Sequence, residues 1–308
     1  MDKSHNYDHS HTHDNQNLKP IMITFILNVL FAIIEFIGFL FSGSMILYSS
    51  SIHDIGDSAT LFATLLIERK ANNGRDSIFT YGYRRFTLIG SIINYTILGV
   101  GSTFAIIESI QKLTNLEPFD PYILLYTSAL GIVINLVGFK LVNTGQSISN
   151  KALAANLFAD IANFIAIFIS SIIIINFDTY ILDPLFSIVF SIYLIVISLK
   201  AYAKIFKMIM QAIPENIDYE QIRNAIIKHK FILDAHDIHI WDLDSEDYIL
   251  TVHIVVKDNL NDTQIMEIKE HIRRDLETFK INHSTIEVDT LTHAKFNGEL
   301  SKEYVESN

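Results

Sequence analysis

The sequence predicts an α-helical membrane protein of six transmembrane helices, followed by a cytoplasmic α+β domain of ferredoxin-like form. Three observations predict it. Half of the 308 residues are apolar and the mean hydropathy is positive, which exceeds what an ordinary globular chain of this length carries. Six apolar stretches, at about 21–41, 45–67, 86–111, 122–143, 152–175 and 181–199, each reach the roughly 20 residues that a helix needs to cross about 30 Å of hydrocarbon. After Pro214 these runs give way to the shorter alternation of a sheet-and-helix domain.

The joints between the apolar stretches are short and carry turn residues: Ser42-Gly43-Ser44, Asn72-Asn73-Gly74, Pro118 with Pro121, Asn143-Thr144-Gly145, and Asn176 to Thr179. The number of spans is even, so both termini face one side. Arg69, Lys70, Arg75, Arg84 and Arg85 lie between spans two and three, Lys140 and Lys151 between four and five, and Lys200, Lys204 and Lys207 after span six. The opposite face offers only Lys112. The positive-inside rule therefore puts both termini and the C-terminal region in the cytoplasm. The first apolar run follows a polar, His-rich segment and is long enough to span, so a membrane helix is expected there and not a signal peptide.

Beyond Pro214, residues 218–229 read as an amphipathic helix, 233–241 and 248–257 as strands, 263–278 as a second helix and 284–290 as a last strand. The order α-β-β-α-β suggests helices on one face of a small sheet. The expected organisation is a His-rich tail at 1–18, a membrane domain at 19–207, a ferredoxin-like domain at 208–292 and a polar tail at 293–308, disordered from about 295. Residues 201–308 hold 20 of the 34 acidic side chains against 12 Lys and Arg, which is −8 of the net −11. No basic patch with interleaved aromatics appears there, which argues against a nucleic-acid partner. Cysteine is absent, which excludes disulfides, thiolate metal sites and Cys nucleophiles. Any metal must bind through His, Asp, Glu or Asn.

Ionisable groups inside a bilayer are costly, so each one in a span is a functional candidate. His53 and Asp57 in span two are four apart and share a helical face. Asn156 and Asp160 in span five repeat the spacing. Two such pairs offer one imidazole, two carboxylates and one amide, a set that suits a divalent cation. The alternative is that these groups only hydrogen-bond one another between helices; a mid-membrane carboxylate, however, needs a cationic or protonated partner. Asp54 points about 100° around the helix from His53, and Glu35 and Asp183 stand nearer span ends, as supporting or structural groups. The string His5, His9, His11 and His13, with Asp8 and Asp14, is either a loose metal-collecting tail or simply polar.

Several strings resemble the cation diffusion facilitator family of divalent metal transporters. The run Gly43-Ser44-Met45-Ile46-Leu47 leading to Ser51-Ile52-His53-Asp54-Ile55-Gly56-Asp57-Ser58 is similar to that family's second span. Tyr81-Gly82-Tyr83-Arg84-Arg85, Asn94, Asn135, Asp183-Pro184, His236-Asp237-Ile238-His239-Ile240-Trp241 and Val252-His253 extend the resemblance over nearly the whole chain. It implies a homodimeric exporter in the cell membrane that exchanges a divalent metal for protons by alternating access, with metal at His53, Asp57, Asn156 and Asp160. It also implies a regulatory metal site at the dimer interface from His236, His253, Glu287 and Asp289, where Glu287 replaces the family's His; strand histidines facing a polar sheet surface are the alternative, and His239 is the weaker candidate. The metal is cargo, and no prosthetic cofactor is expected.

Zinc is the leading ion, but zinc-selective members commonly carry His where this chain has Asn156. An amide oxygen is a harder donor, which brings Mn²⁺, Fe²⁺ and Co²⁺ into range. Ser50 stands where many relatives have Asp, and the 77–83 loop lacks the His of a loop metal site. Two other classes remain open from sequence: a membrane-anchored metal sensor or metallochaperone without transport, and, less favoured, a membrane metallohydrolase, for which no general base stands beside an open-site metal.

Overall fold

The computed structural model describes residues 19–71, 76–83, 85–143, 148–243 and 247–297, together with Leu300 and Tyr304. The His-rich string, the turn at 72–74, Arg75, Arg84 and Gly145 lie outside the described residues. The chain forms two compact units: one is drawn from residues up to Arg69 and from Ile93–Ser198, the other from Lys70–Ile92 and from Leu199 onward.

Six long helices follow the six apolar stretches: α1 (Lys19–Ser42), α2 (Met45–Ala71), α3 (Phe86–Thr114), α4 (Pro121–Val142), α5 (Ile148–Phe177) and α6 (Leu182–Ile209). Each starts and ends close to the expected span, except that α6 runs on past the expected 199 to Ile209. Five are long and apolar enough throughout to cross a membrane; α2 is the sixth, made more polar by His53, Asp54 and Asp57. The first unit keeps many polar groups inside and many apolar ones outside. Asn28, Glu35, Asp54, Asp57, Asn94, Asn135, Asp160 and Asp183 are buried, while Leu40, Phe41, Phe104 and Val189 are exposed. That arrangement suits a hydrocarbon surround, in which apolar side chains gain nothing from facing inward.

Close packing of this unit depends on small residues at crossings. Gly131 of α4 lies where Phe31 of α1 and Phe164 of α5 meet edge to face, their ring centroids 5.2 Å apart. Phe31 and Phe164 belong to a cluster with Ile46, Leu47, Leu124, Ile167 and Ile174. Gly43, at φ 70°, ends α1 in the left-handed conformation that an L side chain rarely adopts. Its N–H bonds back to the Phe39 carbonyl at 2.6 Å.

The second unit contains the expected α-β-β-α-β order: α7 (Tyr219–Ile227), β1 (Ile232–Asp242), β2 (Tyr248–Val256), α8 (Asp262–Glu277) and β3 (Ile281–Thr290). The sheet order is β1-β2-β3, with β1 antiparallel and β3 parallel to β2. Asp218 caps α7, and Asn261 with Gln264 forms a reciprocal capping box on α8. Ile222 and Ile226 of α7 and Ile268, Ile272 and Leu276 of α8 pack on Tyr248, Leu250, Val252, Ile254 and Val256 of β2. The sequence assigns 293–308 to a polar tail, disordered from about 295; a short helix, α9 (Leu291–Asn297), with Ala294 fully buried, runs a few residues into that stretch. Within this unit Arg85 donates to the Asp242 carbonyl at 3.2 Å.

Candidate metal centre

Helices α2 and α5 bring the two predicted pairs together. His53 Nε2 stands 3.1 Å from Asp160 Oδ1 and 3.9 Å from Asp57 Oδ2. The three side chains each offer a ligand atom, all within 4.8 Å of one another. Asn156 completes the group by donating from Nδ2 to Asp57 Oδ2 at 2.5 Å. Rotation of that amide by 180° presents its oxygen in place of the nitrogen, which a cation requires. The His53 ring rests edge to face on Phe190, with centroids 5.8 Å apart.

These groups open into a cavity of about 400 Å³ whose lining includes Asn28, Asn94, Asn163 and Phe190. Most of its wall is apolar, so the polar atoms that face it are few and placed. Sequence reading missed Asn28, Asn163 and Phe190. Asn163 lies one turn beyond Asp160, a spacing that was available as a signal. Phe190 has no such signal.

The position of α2 is fixed from its first turn. Asp183, fully buried at the start of α6, accepts from Ser44 Oγ at 2.5 Å, Met45 N at 2.8 Å and Ile46 N at 3.2 Å. A carboxylate from one helix thus satisfies the orphan N–H groups of another and complements its dipole. Lys112 pairs with the same carboxylate at 3.2 Å and also bonds the Gly43 carbonyl. Of the two readings open to Asp183, supporting or structural, these contacts favour the structural one. His53 and Asp57 lie two and three turns further along the helix that it holds.

The second predicted group forms across the sheet of the other unit. The strand register aligns His236 of β1 with His253 of β2, and His253 with Glu287 of β3. His253 Nδ1 stands 3.1 Å from Asp289 Oδ2, and its Nε2 stands 3.3 Å from Glu287 Oε2. His236, His253 and Asp289 offer ligand atoms within 4.8 Å of one another, while the Glu287 side chain is 64 % exposed. Among the described residues neither ring nitrogen of His236 has a hydrogen-bond partner. A bulge between His236 and His239, with Asp237 at φ 48°, turns Ile238 and Ile240 into the core and leaves His239 exposed, outside this group.

Comparison with known proteins finds relatives over most of the chain. Residues 21–210 match the cation efflux transmembrane domain, and residues 214–291 match the cation efflux protein cytoplasmic domain. The chain belongs to the cation diffusion facilitator family. A "Cadmium, cobalt and zinc/H(+)-K(+) antiporter" of Bacillus subtilis is 30 % identical over 306 residues, 97 % of each chain. "Zinc transporter ZitB" of Pectobacterium atrosepticum is 26 % identical, covering 92 % of this chain and 88 % of its own. "Metal cation efflux system protein CzcD" of Cupriavidus metallidurans is 25 % identical, covering 91 % and 89 %. In this family member the α2–α5 group lies wholly within the transmembrane domain and the sheet group wholly within the cytoplasmic one.

Proposed function

We propose that the protein exports a divalent transition metal from the cytosol in exchange for protons, by alternating access, as a homodimer in the cell membrane with both termini cytoplasmic. The observation that carries this reading is the convergence of His53, Asp57 and Asp160 on one point in a largely apolar cavity of the helical unit. An imidazole and two carboxylates bind metal only when deprotonated, so loading releases protons and proton uptake on the far side releases metal. Metal and protons compete for one set of lone pairs.

The relatives' names bear on the cargo. Zinc, cadmium and cobalt recur among them, and protons and potassium appear as counter-ions in one. Zn²⁺ is the leading cargo, with Co²⁺, Mn²⁺ and Fe²⁺ admitted by the amide of Asn156. The unpartnered His236 imidazole beside His253 and Asp289 supports a regulatory metal site in the cytoplasmic domain, where Glu287 acts as an outer carboxylate on His253.

The test is metal uptake into proteoliposomes under an imposed pH gradient, comparing wild type with Asp160→Ala and Asn156→His. Flux that needs Asp160 and shifts toward Zn²⁺ in Asn156→His supports the reading. Absence of flux, with metal still held through His236 and His253, leaves a membrane-anchored sensor instead. Single-cysteine labelling at an exposed α8 position such as Met266 reads the side of the cytoplasmic domain on a chain that has no native Cys.

A further inference from the structure

Within the metal centre of the helical unit, the imidazole is held differently from the other three side chains. His53 presents Nε2 to Asp160 and Asp57, at 3.1 and 3.9 Å. Its other nitrogen, Nδ1, is buried and has no hydrogen-bond partner among the described residues. A metal-ligating imidazole ordinarily donates from its second nitrogen to a carboxylate, a carbonyl or water, and that bond fixes the ring and strengthens it as a ligand. In this protein the ring packs instead against Phe190 of α6, at an interplanar angle of 86° with centroids 5.8 Å apart, an edge-to-face arrangement of the kind that aromatic pairs favour.

Phe190 is itself held in place. Phe186 and Tyr193, one turn before it and one turn after it on α6, stack against it with centroids 6.5 and 6.4 Å away and interplanar angles of 27° and 26°. Phe190 and Tyr193 line the same cavity as His53. Helix α6 supplies none of His53, Asp57, Asn156 and Asp160, which come from α2 and α5. We propose that Phe190 is a positioning residue of the cargo site: packing from α6 takes the place of the missing outer hydrogen bond and aims His53 Nε2 at the point it shares with Asp57 and Asp160. This inference rests on the metal-transport reading of that centre and names the side chain through which a third helix acts on it.

Packing and hydrogen bonding differ in what they allow. Metal on Nε2 leaves the ring proton on Nδ1, where no acceptor among the described residues meets it. His53 is therefore a weaker ligand than an imidazole with a complete outer shell. A cargo site gains from this, because it must release what it binds. A ring held by contact alone is also freed when the contacting helix shifts, so metal affinity depends on where α6 lies against α2. A difference in contacts between two arrangements is what any two-state release requires.

The experiment titrates the full-length protein in detergent with Co²⁺ and reads both affinity and visible absorption. Each spectrum is taken as the difference from Asp160→Ala, which removes the helical site and keeps every other. Phe190→Leu and Phe190→Met keep most of the volume but not the flat ring, and two variants guard against one that misfolds. Both are expected to weaken Co²⁺ binding about tenfold and to move the absorption toward that of His53→Gln, because an imidazole nitrogen leaves the metal. Phe190→Tyr, which keeps the ring, is expected to bind and absorb as wild type does. Wild-type affinity and spectrum in the Leu and Met variants overturn the proposal. So does weaker binding with an unchanged spectrum, which makes Phe190 a packing residue only, or an equal loss in Phe190→Tyr. If Asp160→Ala binds and absorbs Co²⁺ as wild type does, the metal centre itself fails, a result distinct from all of these.

Discussion

The two units of the chain solve burial in opposite ways. The helical unit buries Glu35, Asp54, Asp57, Asp160 and Asp183 beside a smaller apolar core, and turns many apolar side chains, Leu40, Phe41 and Phe104 among them, outward. The cytoplasmic domain buries an aliphatic core of Ile222, Leu250, Val252, Ile254, Ile268 and Leu276, and keeps its His and carboxylate cluster on the sheet face away from those helices. In hydrocarbon the drive to bury apolar surface is missing, so the helices are held by packing and by polar contacts between them. In water the apolar area itself holds the domain together. The difference teaches where each unit is free to place chemistry: inside for the helices, at the sheet surface for the domain.

The comparison breaks most readily at Asp183. Replacing it with Ala leaves Lys112 without its partner and strips the first turn of α2, at a cost of about 3–5 kcal/mol. Thermal unfolding of the detergent-solubilised protein, followed by helix signal, should show this as a large fall in Tm. The matching change in the other unit removes apolar contact instead: Leu250→Ala should cost about 2–5 kcal/mol through transfer and cavity terms, read by hydrogen exchange across β1–β3. A polar deletion that leaves the helical unit unchanged would contradict the contrast. Gly131→Ala should cost less, about 1–3 kcal/mol, because its Cβ would fall 2.7 Å from Phe164 and 2.8 Å from Phe31. The same thermal scan measures it.

The smallest effect concerns His229. Partial burial, and then the neighbouring His271 and Lys230, lower its tendency to protonate, with Asp275 acting weakly the other way. A histidine whose pKa is lower folded than unfolded favours the fold while neutral, so its contribution is complete above the unfolded value and is lost as pH falls toward the folded one. Mild acid should therefore loosen the α7–β1 region slightly, and His229→Gln should remove that part of the pH dependence in hydrogen exchange.

Much of this was legible in the sequence, for identifiable reasons. The six spans follow from uninterrupted apolar length, and the grouping of His53, Asp57, Asn156 and Asp160 was suggested by two i, i+4 pairs on different helices, which the packing of α2 and α5 brings together. The α-β-β-α-β order follows from the change of period after Pro214. What the sequence hid depends on tertiary contact. Nothing local links Asp183 to the first turn of α2, 138 residues earlier for Met45. Strict alternation along β1 would put His236 on the same face as Ile238 and Ile240, and only the bulge at Asp237 separates them. The helix α9 was hidden because its short polar stretch gains its order from burying Ala294.

The most direct test of the contrast is metal flux in proteoliposomes for Asp160→Ala beside His253→Ala under the same pH gradient. The account predicts that Asp160→Ala abolishes flux, whereas His253→Ala still transports and changes only how flux depends on cytoplasmic metal. Transport that survives loss of Asp160 and disappears with His253 would contradict it, because the working metal site would then lie on the sheet and not between the helices.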